Sequence, residues 1–226
     1  MTSLGRFRIS GTPVALSPAS MPLSDRLPAE TAALHVDADD DAVEMLGVVS
    51  AADYQRFLVR SYGFIAPVER ALAATPDIAL YLDVRRFRKH ELLRRDLEAL
   101  HVPTDAIANL PHVTVPLFDK PEEALGWAYV IERGTLGHHH LFRHLAARMP
   151  GEIAFASAFL KCYFGAVGEM WKNFLRALNM VDDRQGETLV IESAKSAFRA
   201  HRNWYYSLDD RDDSSPPSAP DQHRIA

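Results

Sequence analysis

Histidines are the residues of this chain best suited to holding a metal, and they are densest at His138, His139 and His140, with His144 four residues further on. A helix would place His140 and His144 on one face, as two ligands of one metal require. No Glu-x-x-His or His-Glu-x-x-His sequence accompanies them, which excludes the di-iron and zinc-protease patterns. A polar helix face is the commoner explanation for such a run.

Motifs for other kinds of catalysis are missing. The chain has no Gly-x-Ser-x-Gly, no phosphate-binding loop and no dinucleotide fingerprint. Its single cysteine, Cys162, excludes an intramolecular disulfide, a cysteine-cluster metal site and an iron–sulfur centre. Cys162 follows Phe159 and precedes Tyr163 and Phe164, and a thiol among aromatic residues is usually inert. Hydrolase and nucleotide-enzyme functions are therefore disfavoured.

Composition predicts one soluble domain. The chain has 226 residues, of which 47% are hydrophobic and 24% charged, the balance of a globular protein. Its net charge is -5, with 25 Lys+Arg against 30 Asp+Glu, so we expect no nucleic-acid partner. No run of 18 apolar residues occurs, so we expect no membrane span and a cytoplasmic location.

Both ends of the chain are predicted to be tails. In residues 1–24, Gly11, Pro13 and Pro18 interrupt every apolar stretch, which excludes the hydrophobic region of a signal peptide. Residues 209–226 are charged and rich in proline and serine, a composition that favours disorder. The predicted domain therefore covers residues 25–208.

Helical periodicity dominates that domain. Apolar residues between Ala51 and Ala74 recur at steps of three and four, which predicts one long helix with Ser50 as its N-cap and a kink at Pro67. Further helices are predicted at residues 28–45, 86–100, 121–149, 152–180 and 182–208. Small residues alternate with aromatic ones in residues 151–180, which favours a tightly packed central helix. Only residues 113–117 could form a short strand, so the predicted fold is all-α.

Six segments stand in a distinctive order within this helical domain. They are LPAETAALH (27–35), DYQRFLVRSYGFIAPVE (53–69), LRRDLEAL (93–100), GWAYVIERGTLGH (126–138), WKNFLR (171–176) and ESAKSAFRAH (192–201). In order and spacing they resemble the bacterial biliverdin-producing heme oxygenases, over about residues 27–204. The resemblance implies a single-domain, heme oxygenase-like bundle of helices.

The resemblance also implies an activity and its partners. Heme oxygenases use O2 and electrons to open heme to biliverdin, carbon monoxide and iron, so heme is both the substrate and the group that activates oxygen. The implied electron donor is a ferredoxin or a flavin reductase, and an implied consumer of the product is a bilin-binding photoreceptor.

Individual residues take roles by the same resemblance. His35 is the implied axial iron ligand, and Phe198 the implied lining of the pocket, with His201 in the same segment. Lys172 and Arg176 are implied to face the heme propionates. Heme is a flat, apolar dianion, which explains the demand for an imidazole, apolar walls and cations at one edge.

The segment 126–138 departs from the family pattern. Arg133 replaces the first family glycine and His138 the second of a glycine pair, which leaves Gly137, with Gly134 as a further small residue for close approach to heme. Arg133 and Gly137 are four residues apart, so the guanidinium is predicted to point at or beside the pocket. Arg133 could bind the distal water or a propionate in an active enzyme. Alternatively, His138 could ligate iron in a heme-binding or sensing protein, or the fold could have lost heme and serve another ligand or a partner protein.

Overall fold

The structure is a computed structural model and describes residues 21–35, residue 47 and residues 50–212. In these residues the α-helices are α1 (Leu23–Glu30), α2 (Ala51–Ala74), α3 (Lys89–Ala99), α4 (Thr104–Ala108), α5 (Pro121–Gly134), α6 (His138–Arg148), α7 (Pro150–Phe155), α8 (Val167–Leu178) and α9 (Arg184–Asp212). Short 3-10 turns lie at Ile78–Leu80, Val84–Arg86 and Thr135–Gly137. This part of the chain contains no strand, so the all-α prediction is confirmed and residues 113–117 are irregular.

Helix α2 has the predicted bounds and the predicted cap. The Ser50 hydroxyl accepts a hydrogen bond from the Asp53 amide, and the Asp53 carboxylate accepts one from the Ser50 amide. This reciprocal arrangement satisfies two donors that a helix start otherwise leaves unpaired. The helix continues through Pro67 and buries most of its length.

Two segments that the sequence predicts as single helices are each divided in the structure. The chain from 121 to 149 divides into α5 and α6 at the turn Thr135–Gly137, where the Thr135 hydroxyl donates to the Glu132 carbonyl. Glycines on both sides of Leu136 weaken the helix there. The chain from 152 to 180 breaks between α7 and α8, so Ala158, Gly165 and Ala166 lie in turns rather than on a central helix.

A distant carboxylate and a glycine explain that second break. The buried Asp96 of α3 accepts hydrogen bonds from the amides of Ala158 and Phe159, at 2.7 and 2.8 Å. Gly165 has a φ of 79°, a left-handed conformation that favours glycine. These two features hold residues 157–166 as turns, which no local pattern predicts.

The core forms around α5, which packs most extensively against α9. A Cβ added to Gly126 would lie 2.6 Å from the Val190 carbonyl oxygen and the Ala194 amide, so this glycine permits the close helix contact. Helix α2 packs against α3 and also contacts α5 and α9, and α1 contacts α8 and α9.

The ends of the described helices extend beyond the predicted domain. Helix α1 begins at Leu23, which is buried, and α9 continues to Asp212. Residues 32–35 are helical, whereas the rest of the predicted helix at 28–45 lies outside the described residues. The tails themselves stay a prediction, since residues 1–20 and 213–226 also lie outside them. No helix in the described residues is both long enough and apolar enough to cross a membrane.

Candidate functional site

His35 lies where α1, α5 and α9 converge. Its Nε2 is 2.9 Å from the Thr31 hydroxyl oxygen and 3.2 Å from the Tyr129 hydroxyl oxygen. Its ring centroid is 5.2 Å from that of Phe198 and 5.9 Å from that of Tyr129. The structure thus brings together His35 and Phe198, two residues the sequence assigned to one site, and adds Thr31 and Tyr129.

Apolar and polar contacts fix the segment that carries His35. Leu23 and Leu27 of α1 are fully buried. Arg26 forms an ion pair with Glu187 of α9, and the Ser24 amide donates to the Asn179 side chain just after α8, at 2.9 Å. These contacts hold α1 against both helices, so the position of His35 follows from the bundle.

Tyr129 and Arg133 lie one turn apart on α5, on the side of the helix that faces His35. Burial raises the pKa of Tyr129 to about 12, while the positive charge of Arg133 acts to lower it. The Tyr129 ring also packs at 5.8 Å from Trp171 of α8. Arg133 is therefore close enough to the Tyr129 hydroxyl for its charge to act there, and its role beside a ligand stays a prediction.

Gly134 and Gly137 border open space. A Cβ added to either glycine would meet no atom of the described structure within 4 Å. Both residues are exposed, in contrast to the buried residues of α5 that precede them. The backbone at both glycines is therefore accessible to a ligand beside the turn Thr135–Gly137.

His138 lies against a different part of the molecule. Its ring is buried, and the ring centroid lies 4.6 Å from that of Phe159. Its Nδ1 is 3.6 Å from the Cys162 sulfur. Burial, together with the nearby charge of Lys89, lowers the pKa of His138 to about 4. These contacts place its imidazole, neutral at physiological pH, among the turns 157–166 rather than beside His35. Burial likewise raises the pKa of the Cys162 thiol to about 11, which agrees with the inert thiol predicted for it.

The remaining predicted ligand contacts lie on α8 and α9. Lys172 and Arg176 are exposed on α8, where Arg176 is 3.6 Å from Glu169. The His201 ring packs at 4.8 Å against Phe64 and at 4.4 Å against Tyr205, and burial lowers its pKa to about 4. Their roles toward a ligand stay predictions.

The histidines of α6 do not gather into a metal site. His139 and His140 are exposed, and the His144 Nδ1 is 2.8 Å from the Arg148 guanidinium. Across the ranges described by the structure, no three His, Cys, Asp or Glu residues come close enough together to hold a metal ion. The polar helix face favoured by the sequence agrees with this arrangement.

A buried charge cluster, which sequence reasoning missed, anchors the end of α5. The Glu132 carboxylate accepts hydrogen bonds from Arg86 at 2.6 Å, Lys89 at 2.8 Å and the Tyr163 hydroxyl at 3.0 Å. Arg86 also donates to the Met170 carbonyl of α8 at 2.6 Å. Burial alone would lower the pKa of Lys89, but the Glu132 carboxylate reverses the effect and raises it. The available signal was a glutamate on an otherwise apolar helix face.

Known proteins with a similar sequence profile or structure share this fold. The profile of the family described as heme oxygenase matches residues 21–207. The structure is similar to the heme oxygenase of Neisseria meningitidis, whose crystal structures hold NO and CO, with a TM-score of 0.67 and 20% sequence identity. The similarity covers 92% of this chain and 100% of the other. No curated protein sequence matches.

Proposed function

Because the chain belongs to the heme oxygenase family, we propose that it uses O2 and electrons to open heme to biliverdin, carbon monoxide and iron. The observation that carries this proposal is the position of His35. Its imidazole lies at the junction of α1, α5 and α9, against the Phe198 ring. Open space borders Gly134, the last residue of α5, and Gly137 in the turn that follows it.

These residues fit heme. A heme site needs an imidazole for iron, apolar walls for the ring and room for a flat molecule. His35 would hold the iron, Phe198 would contact the porphyrin, and the glycines would let the backbone approach without a colliding side chain. When bound, heme supplies the iron that activates O2 and the ring that is oxidised.

Arg133 acts in this proposal as a positioning residue. Its guanidinium is always protonated, so it can donate hydrogen bonds to water or a carboxylate but cannot release a proton at neutral pH. Its charge acts on the Tyr129 hydroxyl, which supports a position beside the pocket. Lys172 and Arg176 remain the proposed partners of the heme propionates.

A second imidazole on the iron would give a sensing protein rather than an enzyme. The contacts of His138 with Phe159 and Cys162 argue against that alternative, because the ring would have to leave its packing to reach a ligand. We therefore propose one histidine ligand, with the other side of heme accessible to O2. A ferredoxin or flavin reductase would supply electrons, and a bilin-binding photoreceptor in the cytoplasm would use the product.

The test is biliverdin formation by the purified protein with hemin, ascorbate and oxygen. We expect a biliverdin absorption band with the parent chain and none with His35→Ala, because the variant lacks the iron ligand. His140→Ala is the matched control, since His140 is exposed on α6. Circular dichroism should be the same for all three proteins, and added imidazole should partly restore the heme spectrum of His35→Ala. Unchanged turnover in His35→Ala would overturn the assignment.

A further inference from the structure

The Arg86 side chain connects two helices that lie far from it in the sequence. One nitrogen of its guanidinium donates to the Glu132 carboxylate of α5 at 2.6 Å, and another donates to the Met170 carbonyl of α8, also at 2.6 Å. The side chains of Arg86 and Glu132 are only 6% and 5% exposed, so water competes little for these bonds. Arg86 therefore ties the end of α5 to the beginning of α8.

Both of the tied helices border the candidate site. Met170 directly precedes Trp171, whose ring centroid lies 5.8 Å from that of Tyr129 on α5. Glu132 is close to the C-terminal end of α5, and the turn Thr135–Gly137 that follows this end contacts α8. A change in the placement of α8 relative to α5 would therefore change the shape of the site.

An arginine is suited to making both contacts at once. Its guanidinium is a rigid planar fork with five N–H donors, whereas a lysine ammonium is a compact point charge. Lys89 neutralises the same carboxylate, with its ammonium 2.8 Å from Glu132, but none of its hydrogen bonds in the described residues goes to α8. The two cations thus share the neutralisation of Glu132, and the tie to α8 comes from Arg86.

The placement of α8 matters for how heme would sit. Helix α8 carries Lys172 and Arg176, the proposed partners of the heme propionates, whereas the accessible Gly134 lies at the end of α5. A shift of α8 would therefore turn the ring within its plane relative to that glycine. The bridging carbons of heme are chemically alike, so the one that is opened depends on how the ring is turned. Reacting geometries tolerate little displacement, since a misplacement of about 1 Å can change a rate by about 100-fold.

We propose that Arg86 is a positioning residue that fixes α8 relative to the end of α5, and thereby sets the in-plane orientation of heme and the bridging carbon that is opened. The inference rests on the proposed function, since it assumes that heme is the substrate. Arg86 acts through Glu132 and Met170 and is buried beneath the site rather than exposed within it.

The test compares the same substitution at two neighbouring positions. Arg86→Lys keeps the positive charge but cannot hold both partners, while Lys89 still neutralises Glu132. Arg85→Lys is the matched control, because Arg85 lies in the same 3-10 turn and its side chain, 84% exposed, pairs with Asp83. The two variants differ in whether the altered side chain ties α5 to α8.

Three measurements are made on each protein. Hydrogen exchange of the amides in α8, compared with those in α2, distinguishes a local loosening of α8 from a general loss of stability. Proton NMR of the hemin complex with added cyanide gives the heme-methyl shifts, which depend on the in-plane orientation of the ring and require no turnover. Chromatography of the biliverdin formed with ascorbate and oxygen gives the ratio of isomers, which does not depend on the amount of folded protein.

For Arg86→Lys we expect faster exchange in α8, a changed pattern of heme-methyl shifts, and a change of about three- to tenfold in the isomer ratio, as for the loss of one net hydrogen bond. For Arg85→Lys we expect the values of the parent. Less product with the parent's isomer ratio and methyl shifts would mean that Arg86 only stabilises the fold, and would overturn the proposal. Glu132→Gln, which weakens the tie from its α5 end with little change of shape, repeats the test if Arg86→Lys does not fold, and unchanged methyl shifts in that variant would also overturn the proposal.

Failure of the proposed function gives a different result. Heme binding and biliverdin formation with one isomer ratio in the parent and in Arg86→Lys would leave the function standing and overturn the role of Arg86. Heme binding without biliverdin in the parent, but with methyl shifts that change in Arg86→Lys, would overturn the oxygenase function and support the positioning role. Absence of heme binding in the parent would overturn both.

Discussion

The segment from Tyr129 to His138 has two faces that differ in nearly every physical property. Glu132, Thr135 and His138, three residues apart in turn, form a closed face that is buried and hydrogen-bonded. Arg133, Gly134 and Gly137 form an open face, where the Arg133 charge acts on Tyr129 and a Cβ added to either glycine would meet no described atom. One short segment therefore secures the bundle on one face and leaves its backbone accessible on the other.

This comparison explains how the chain tolerates its departures from the family pattern. His138 stands where the resemblance implies a glycine, yet it lies on the closed face, in contact with Phe159 and Cys162. Arg133 stands where the resemblance implies another glycine and belongs to the open face, where a long side chain can keep its stem packed and its charge at the rim. Neither substitution fills the space beside Gly134 and Gly137.

The largest expected effect comes from breaking the closed face at Glu132. Glu132→Ala would leave the side chains of Arg86 and Lys89 buried without their carboxylate, which should lower the free energy of unfolding by about 3–5 kcal/mol. Urea unfolding followed by circular dichroism measures it. Glu98→Ala, which removes a surface partner of Arg94, is the matched control and should cost less than about 1 kcal/mol. Similar losses in the two variants would show that the buried cluster does not anchor α5.

How much of this could be predicted from sequence depends on where the determining contact lies. Helix α2 was predicted with its bounds, because its periodicity and its Ser50 cap are local signals. The break after α7 was not, because Asp96 stabilises it from some 60 residues earlier in the chain. A carboxylate in another helix has no signature in the segment that it holds.

The candidate site likewise has features that the sequence predicted and features that it did not. The order of motifs predicted that His35 and Phe198 belong together, and the structure places their rings 5.2 Å apart. The contacts of Thr31 and Tyr129 with His35 depend on individual hydrogen-bond distances, which motif order does not contain. The position of His138 on the closed face was likewise not predicted, because spacing alone does not say which side of the turn Thr135–Gly137 faces the core.

A smaller effect should appear in the pH dependence of stability. In the folded chain burial lowers the pKa of His138 to about 4, whereas in the unfolded chain the value should be near the ordinary 6.5. Between these values the unfolded state binds more protons, so stability should fall as pH drops from about 6.5 to about 4. We expect His138 to contribute about 1–3 kcal/mol to that fall.

Urea unfolding at several pH values tests this expectation. His138→Leu keeps an apolar side chain in the packing and removes the titrating group, so its stability should change less over that range than the parent's. His140→Leu serves as the control, because His140 is exposed and outside the closed face. An unchanged slope in His138→Leu would mean that His138 takes up protons freely in the folded protein, contrary to a buried position.

The smallest expected effect, and the one that bears on the open face, comes from Arg133. If its guanidinium orders water in the heme pocket, Arg133→Gly should keep heme binding and slow biliverdin formation, by roughly three- to tenfold for one hydrogen bond at a half-exposed site. Arg133→Ala is the companion variant, because it removes the guanidinium without the added backbone freedom of glycine. Heme titration and single-turnover spectra of the three proteins give both quantities. Tighter binding with faster turnover would mean that Arg133 obstructs heme. No change in either quantity would place the Arg133 side chain outside the site, and the open face would then consist of the two glycines alone.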